Sequence, residues 1–313
     1  MIARPHVKIN LGLNVLRKRP DGFHDLDTLF VPCHAFHDTL EIIAGDDWSH
    51  TSAALFDRYR GGADGAPAIA QAVSDDGRVL ITVARKEGVD WDPLKDLTVK
   101  AYYLLAADYD LPPVKIFLEK TSPVGAGLGG GSADAAFALR LLDGLAGLGL
   151  SDAVLAGYAA RLGSDCAFFL HDRPMLGSGR GEILSPAPDG LPAFRSAPAL
   201  LFRDGAFLPF AGDRADESPA AEGTLTLQVV LPEGISVSTA EAYRGIVPHV
   251  PAQRLGDVLA LPVDQWKDLL VNDFETSVFA LHPTLTACKE ALYARGARYA
   301  AMSGSGSALF ALY

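Results

Sequence analysis

Gly125-Ala-Gly-Leu-Gly-Gly-Gly-Ser-Ala-Asp-Ala135 is the stretch that decides the fold. Five of these eleven residues are glycine, and the run passes directly into the strong helix formers Ala135-Ala-Phe-Ala-Leu-Arg-Leu-Leu142. Glycines let backbone N–H groups approach an anion without Cβ interference, and a helix start adds unpaired N–H donors and a partial positive charge. The stretch therefore reads as a phosphate cradle. A flexible linker would not be welded to an apolar helix.

Two common phosphate loops are excluded. Gly125, Gly127 and Gly130 match the dinucleotide fingerprint, and Val114-Lys-Ile-Phe-Leu-Glu-Lys120 before them reads as a strand. That fingerprint also requires a second strand ending in an acidic residue about twenty positions on. Here Gly147-Leu-Gly-Leu-Ser-Asp-Ala-Val-Leu-Ala-Gly-Tyr-Ala-Ala160 reads as another helix, so a nicotinamide site is not expected. A Walker loop needs Gly-Lys-Ser/Thr, and its lysine is missing.

Working outward, Val7-Lys-Ile-Asn-Leu-Gly-Leu-Asn-Val15 alternates as a strand, with Lys8, Asn10 and Gly12 on one face. Residues 26 to 43 are strand-rich. Residues 45 to 77 have no clear period and form an excursion, with residues 66 to 73 as one short helix. Residues 97 to 107 read as a helix, residues 224 to 231 as a strand, and further helices are expected around Ala240, Leu255, Trp266 and Leu285. The Pro-, Gly- and Ser-rich residues 173 to 181 suggest a boundary, giving domains at 1–170 and 171–313. The class is α+β.

With 313 residues, 49% of them apolar, the chain can bury a large core. It has no apolar run near ~20 residues and no signal-peptide pattern, so a soluble cytoplasmic protein is expected. Three scattered cysteines make no disulfide framework. A net charge of −11 argues against nonspecific nucleic-acid binding and requires any phosphate site to be locally positive. Cys33-His-Ala-Phe-His37 offers metal-ligating side chains but lacks a second spaced pair, and reads as strand instead. Nothing in the pattern speaks to oligomeric state.

Three segments taken together carry a resemblance. They are Lys8-Ile-Asn-Leu-Gly-Leu-Asn14 with Arg19-Pro-Asp-Gly-Phe-His24; residues 120 to 136 with Leu162-Gly-Ser-Asp-Cys-Ala-Phe168; and Met302-Ser-Gly-Ser-Gly-Ser307. The chain resembles the GHMP kinases, a family of small-molecule kinases. The likeness is greatest to a member whose acceptor is a cytidine-diphosphate-linked methylerythritol. The resemblance implies a two-domain α+β architecture with the active site in the cleft between domains. It implies ATP held by Pro123, Gly125, Gly127, Leu128, Gly129, Gly130, Gly131 and Ser132, with Ser132 helping to hold Mg2+.

Lys8 and Asp165 are implied as the catalytic pair across the transferred phosphoryl group. Such transfer is largely dissociative, so catalysis is mostly positioning and charge neutralisation. A compact ammonium supplies charge, and an adjacent carboxylate, already a weak base, orients the hydroxyl first and accepts its proton second. On the acceptor side, the resemblance implies cytosine stacked between Phe23 and Tyr243, with His24 bonding its edge and Asn10 and Thr239 holding the remainder. Phe23 departs from the tyrosine commoner there. Asp96, on the adenosine side, stands where the family usually has asparagine and lacks amide donors. Asp134, in the first helical turn, reads as a partner of the helix dipole, and its closeness to the cradle keeps a metal-ligand role open as the alternative. The residues 304 to 307 read as a small loop that shapes the glycine loop or makes a tight turn. Competing readings are another GHMP kinase, a nucleotide-binding regulator on the same fold, and last a NAD enzyme.

Overall fold

The computed structural model describes residues 1–59, 67–210 and 222–313. The chain forms two compact units. The first comprises Met1–His6, His37–Pro123 and Gly130–Leu170; the second comprises Val7–Phe36, Val124–Gly129 and His171–Tyr313. An uninterrupted first domain over 1–170 is therefore not what the chain builds, because Val7–Phe36 and Val124–Gly129 go with the second unit. The physical reason is strand pairing. His6–Lys18 and His24–His37 share a sheet with Met175–Gly179 and Ile183–Pro186, from far along the chain.

In the first unit, a sheet runs in the order Ile2–Ala3, Thr39–Ala44, Val114–Lys120, Val79–Arg85, Ile69–Val73. Val79–Arg85 and Val114–Lys120 are parallel. Parallel neighbours need a long crossover, and the helix Leu97–Ala106 lies in it. This helix packs on Gly130–Ala146, whose buried Ala133, Ala135, Ala136 and Ala138 allow close approach while favouring helix. Asp152–Leu162 follows, capped by Ser151, whose hydroxyl accepts from Val154 N.

The expected helix over residues 66–73 is absent over its described part. Ile69–Val73 is a strand, antiparallel to Val79–Arg85, and Ala66 lies outside the described residues. Pairing with an open sheet edge outweighs the helix preference of Ala and Gln there. The excursion does hold a helix, but at Ser52–Arg58, with Leu55 buried on Ile43, Ala84 and Phe117.

In the second unit, a further sheet runs Ala206–Pro209, Leu200–Arg203, Leu225–Pro232, Leu309–Leu312, Tyr299–Met302, and Phe194–Ser196 also pairs with Leu225–Pro232. Helices Thr239–Arg244, Leu255–Leu259, Phe274–Leu281 and Pro283–Ala294 accompany it. Trp266, expected in a helix, instead follows the 3-10 turn Val263–Gln265. Its indole N–H donates to Leu261 O, and its ring is wholly buried among Leu255, Tyr299 and Phe310. Packing, not a helical period, set its apolar character.

Candidate active site

The second unit carries the first half of the glycine loop. Strand alternation puts Lys8 and Asn10 on one face of His6–Lys18, and both are buried. Lys8 Nζ donates to Asn10 Oδ1 and, at 2.9 Å, to Gly127 O. Lys8 N donates to Leu128 O, so the strand and the loop are tied through backbone as well. Asn10 Nδ2 donates to Thr28 Oγ1 at 3.0 Å, and that hydroxyl donates to Gly12 O at 2.6 Å. The amide oxygen of Asn10 is thereby aimed at the ammonium.

Gly127 has φ +76°, and a Cβ there would stand 2.2 Å from Ser303 O. Only glycine fits both the conformation and the space. The residues 303–308 are the reason. Ser303 Oγ donates to Gly127 O at 3.1 Å, and Ala308 N donates to Ala126 O. Asn272 Nδ2 holds this second loop in turn, donating to Met302 O at 2.7 Å and Gly304 O at 2.9 Å. The small-residue loop near the carboxyl end thus backs the first loop directly. Ala126 and Leu128 send their side chains into the core, so Leu128 offers an anion its backbone alone.

The first unit carries the second half. Ser132 is the third residue of Gly130–Ala146 and is half-buried. Its hydroxyl is hydrogen-bonded to the Cys166 thiol, whose pKa burial pushes up to about 12. Asp165 precedes Cys166 in the turn between Asp152–Leu162 and the short 3-10 helix Cys166–Leu170, and its carbonyl accepts from Phe168 N. Gly131, next to Ser132, has open space where a Cβ would be. Asp96 caps the helix Leu97–Ala106, its Oδ1 accepting from Thr98 N at 2.9 Å and Thr98 Oγ1 at 2.8 Å. A carboxylate suits that role as well as an asparagine, which accounts for the departure locally.

Sequence reasoning gave Lys120 and Asp38 no role, yet they form a buried ionic cluster with Asp134. Lys120 Nζ donates to Asp38 Oδ2 and, at 2.6 Å, to Asp134 Oδ2. Asp38 Oδ1 also accepts from Thr121 N at 2.7 Å and Ser122 N at 2.8 Å, and its Oδ2 accepts from Ser122 Oγ at 2.6 Å. Burial works to raise the Asp38 pKa, but Lys120 and the Ser122 bonds outweigh it, so the carboxyl sits below its ordinary value. Burial raises Asp134 well above its ordinary value, and its Oδ1 has no hydrogen-bond partner. Asp134 is thus a partner of Lys120 beneath the loop, beyond the helix-dipole role read from sequence. The available signal was a lysine closing an apolar strand immediately before the glycine loop.

The expected acceptor residues are brought together in part. His24 stacks on Tyr243 with ring centroids 4.6 Å apart and planes 21° off parallel, and Tyr243 meets Phe274 edge-on. Burial lowers the His24 pKa, with Lys18 adding to it, so the ring is neutral near pH 7. Phe23 lies one residue before His24. It is half-exposed, and the Arg180 guanidinium lies 4.9 Å from its centroid. Thr239 is exposed at the first position of its helix, where Ser238 provides the cap.

Among the described residues, no group of His, Cys, Asp and Glu forms a metal site, and no helix is long and apolar enough to cross a membrane. Residues 33 to 37, with their cysteine and histidines, lie in the strand His24–His37.

The family model described as GHMP kinases N terminal domain matches residues 96–173, and the one described as GHMP kinases C terminal matches 260–313. The chain is 39% identical over 313 residues to a 4-diphosphocytidyl-2-C-methyl-D-erythritol kinase of Bacteroides fragilis, covering 100% of this chain and 92% of that protein. It is 37% identical, at the same coverage, to the enzyme so named from Parabacteroides distasonis. Among solved structures, a 4-(cytidine 5'-diphospho)-2C-methyl-D-erythritol kinase matches with TM-score 0.62 and 28% identity, over 100% of this chain and 90% of that one. The mevalonate kinase of Methanococcus jannaschii matches with TM-score 0.56 at 11% identity, over 100% and 90%, a likeness of fold alone. By the identity and coverage of these relatives, the chain belongs to the GHMP kinase family.

Proposed function

We propose that this chain transfers the γ-phosphoryl group of ATP to the 2-hydroxyl of 4-diphosphocytidyl-2-C-methyl-D-erythritol, in isoprenoid precursor synthesis. The observation that carries the reading is the match over the whole chain, at 39% and 37% identity, to kinases named for that acceptor. In the reaction the bond between Pγ and the β,γ-bridging oxygen breaks, and a bond from the acceptor oxygen to Pγ forms. ADP leaves, and the hydroxyl proton goes to Asp165 or to solvent.

The phosphates lie on the backbone of residues 125–132, where Gly131 leaves room and the helix start supplies N–H donors. Lys8 supplies positive charge to the moving group, and Asn10 and Gly127 hold its ammonium in place. Asp165 orients the acceptor hydroxyl, and Asp96 lies on the adenosine side. The half-buried Ser132 hydroxyl fits Mg2+ that arrives with the nucleotide, because one protein oxygen plus phosphate oxygens is an ordinary donor set for that ion. When bound, Mg2+ would neutralise phosphate charge. His24, Tyr243, Phe23 and Thr239 serve the acceptor. The protein works in the cytoplasm.

The test is Asp165→Asn, which keeps size and hydrogen bonding but not the charge. Turnover should fall by about 10²–10⁴-fold with KM for ATP little changed. Undiminished turnover at saturating ATP would remove Asp165 from the chemistry.

A further inference from the structure

We infer that Arg180 selects the acceptor by its diphosphate, a role that rests on the reading just given. Arg180 sits in the turn between Met175–Gly179 and Ile183–Pro186. The register Leu26↔Gly179 places that turn beside residues 23–25. Two glycines with positive φ, Gly179 and Gly181, flank it. Its backbone N–H donates to Glu182 Oε2 at 2.6 Å, which fixes the turn and points the side chain across Phe23.

The guanidinium covers one face of the Phe23 ring, so a base can stack only on the other. Its ion pair is loose, with Nε 3.5 Å from Glu182 Oε1. The two arginines near Phe23, Arg17 and Arg19, are committed more tightly. Arg19 is shared between Asp21 at 2.9 Å and Asp25 at 3.1 Å, and Arg17 is bound to Asp25. A planar fork of N–H donors beside a base-stacking ring matches a nucleoside diphosphate, whose anion lies one ribose away from its base. In a chain of net charge −11, such a local cation is what an anionic acceptor requires.

The experiment uses the full chain, with Arg180→Met keeping the aliphatic stem and Arg180→Lys keeping the charge. Read-outs are kcat, KM for ATP, KM for the cytidyl-diphospho acceptor, and inhibition constants for cytidine and for CDP. Arg180→Met should raise the acceptor KM and the CDP constant by about tenfold or more, the loss of one charge-assisted contact. Cytidine inhibition, kcat and KM for ATP should stay as in wild type, and Arg180→Lys should recover part of the loss. If cytidine and CDP weaken equally, Arg180 acts through Phe23 and the inference is overturned. Unchanged constants overturn it as well. Failure of the wild type to turn over this acceptor would instead overturn the functional reading, so the two failures are distinguishable.

Discussion

Replacing Gly127 and Gly131, one at a time, by alanine should separate loop shape from phosphate binding. At Gly127 the new Cβ meets Ser303 O at 2.2 Å and Gly306 N at 3.0 Å, all backbone, at φ +76°. The backbone conformation alone costs an L-residue about 1–2 kcal/mol. The overlap forces the two loops apart and loosens the bonds from Lys8 and Ser303 to the Gly127 carbonyl. A total of about 2–4 kcal/mol follows, in the range of strain at a special backbone position. Gly131 is the opposite case: it is helical, and its Cβ would meet nothing. Alanine there should stabilise the helix by up to about 1 kcal/mol. That open space is nevertheless where the phosphates are proposed to lie, so ATP affinity should fall by about tenfold or more, about 1.4 kcal/mol. Thermal melting and ATP titration of both variants provide the assay. Gly127→Ala should melt earlier, and Gly131→Ala should melt no earlier yet bind ATP worse. A Gly131→Ala protein binding ATP like wild type would refute the cradle. A Gly127→Ala protein melting like wild type would refute the loop packing.

Lys120→Met leaves two buried carboxyls without their ammonium and should cost about 3–5 kcal/mol in denaturant unfolding, whereas Met on an exposed lysine would cost little. Because Asp38 is held below its ordinary value of 3.8, its contribution is present above that pH and disappears as pH falls through the lower folded value. Acid unfolding of Asp38→Asn should therefore lose the part of the wild-type transition below pH 3.8. His24 has a folded pKa below 6.5, so the ring proposed to meet the acceptor is neutral at pH 7. The acceptor KM should be flat above pH 6.5 and rise as pH drops through the lowered value, and His24→Phe should remove that rise. A rise unaltered in His24→Phe would assign the titration to another group.

The glycine loop, its preceding strand Val114–Lys120 and its helix were legible because each is a local pattern. The face shared by Lys8 and Asn10 was legible for the same reason, since a strand alternates. The assignment of Val7–Phe36 to the second unit was not, because it depends on pairing with Met175–Gly179, about 150 residues away. The same holds for Asp38, whose partner Lys120 ends a strand far along the chain, for Ser303, which meets the glycine loop, and for Asn272, which holds the second loop, all through contacts far apart in sequence. The His24–Tyr243 stack also joins two distant segments; motif reasoning identified both residues but not that they face each other. Arg180 was missed because a lone arginine in a Gly-rich turn carries no periodic signal. The strand Ile69–Val73 was misread because its composition favours helix while its place is fixed by a neighbour.

The most direct test of the kinase reading is ADP release by the wild-type chain with Mg-ATP and four acceptors offered separately. These are 4-diphosphocytidyl-2-C-methyl-D-erythritol, homoserine, mevalonate and galactose. Turnover is expected with the first alone. Turnover with another acceptor and not the first would contradict the assignment of Phe23, His24, Tyr243 and Arg180, and ATP binding without turnover of any would contradict catalysis by Lys8 and Asp165.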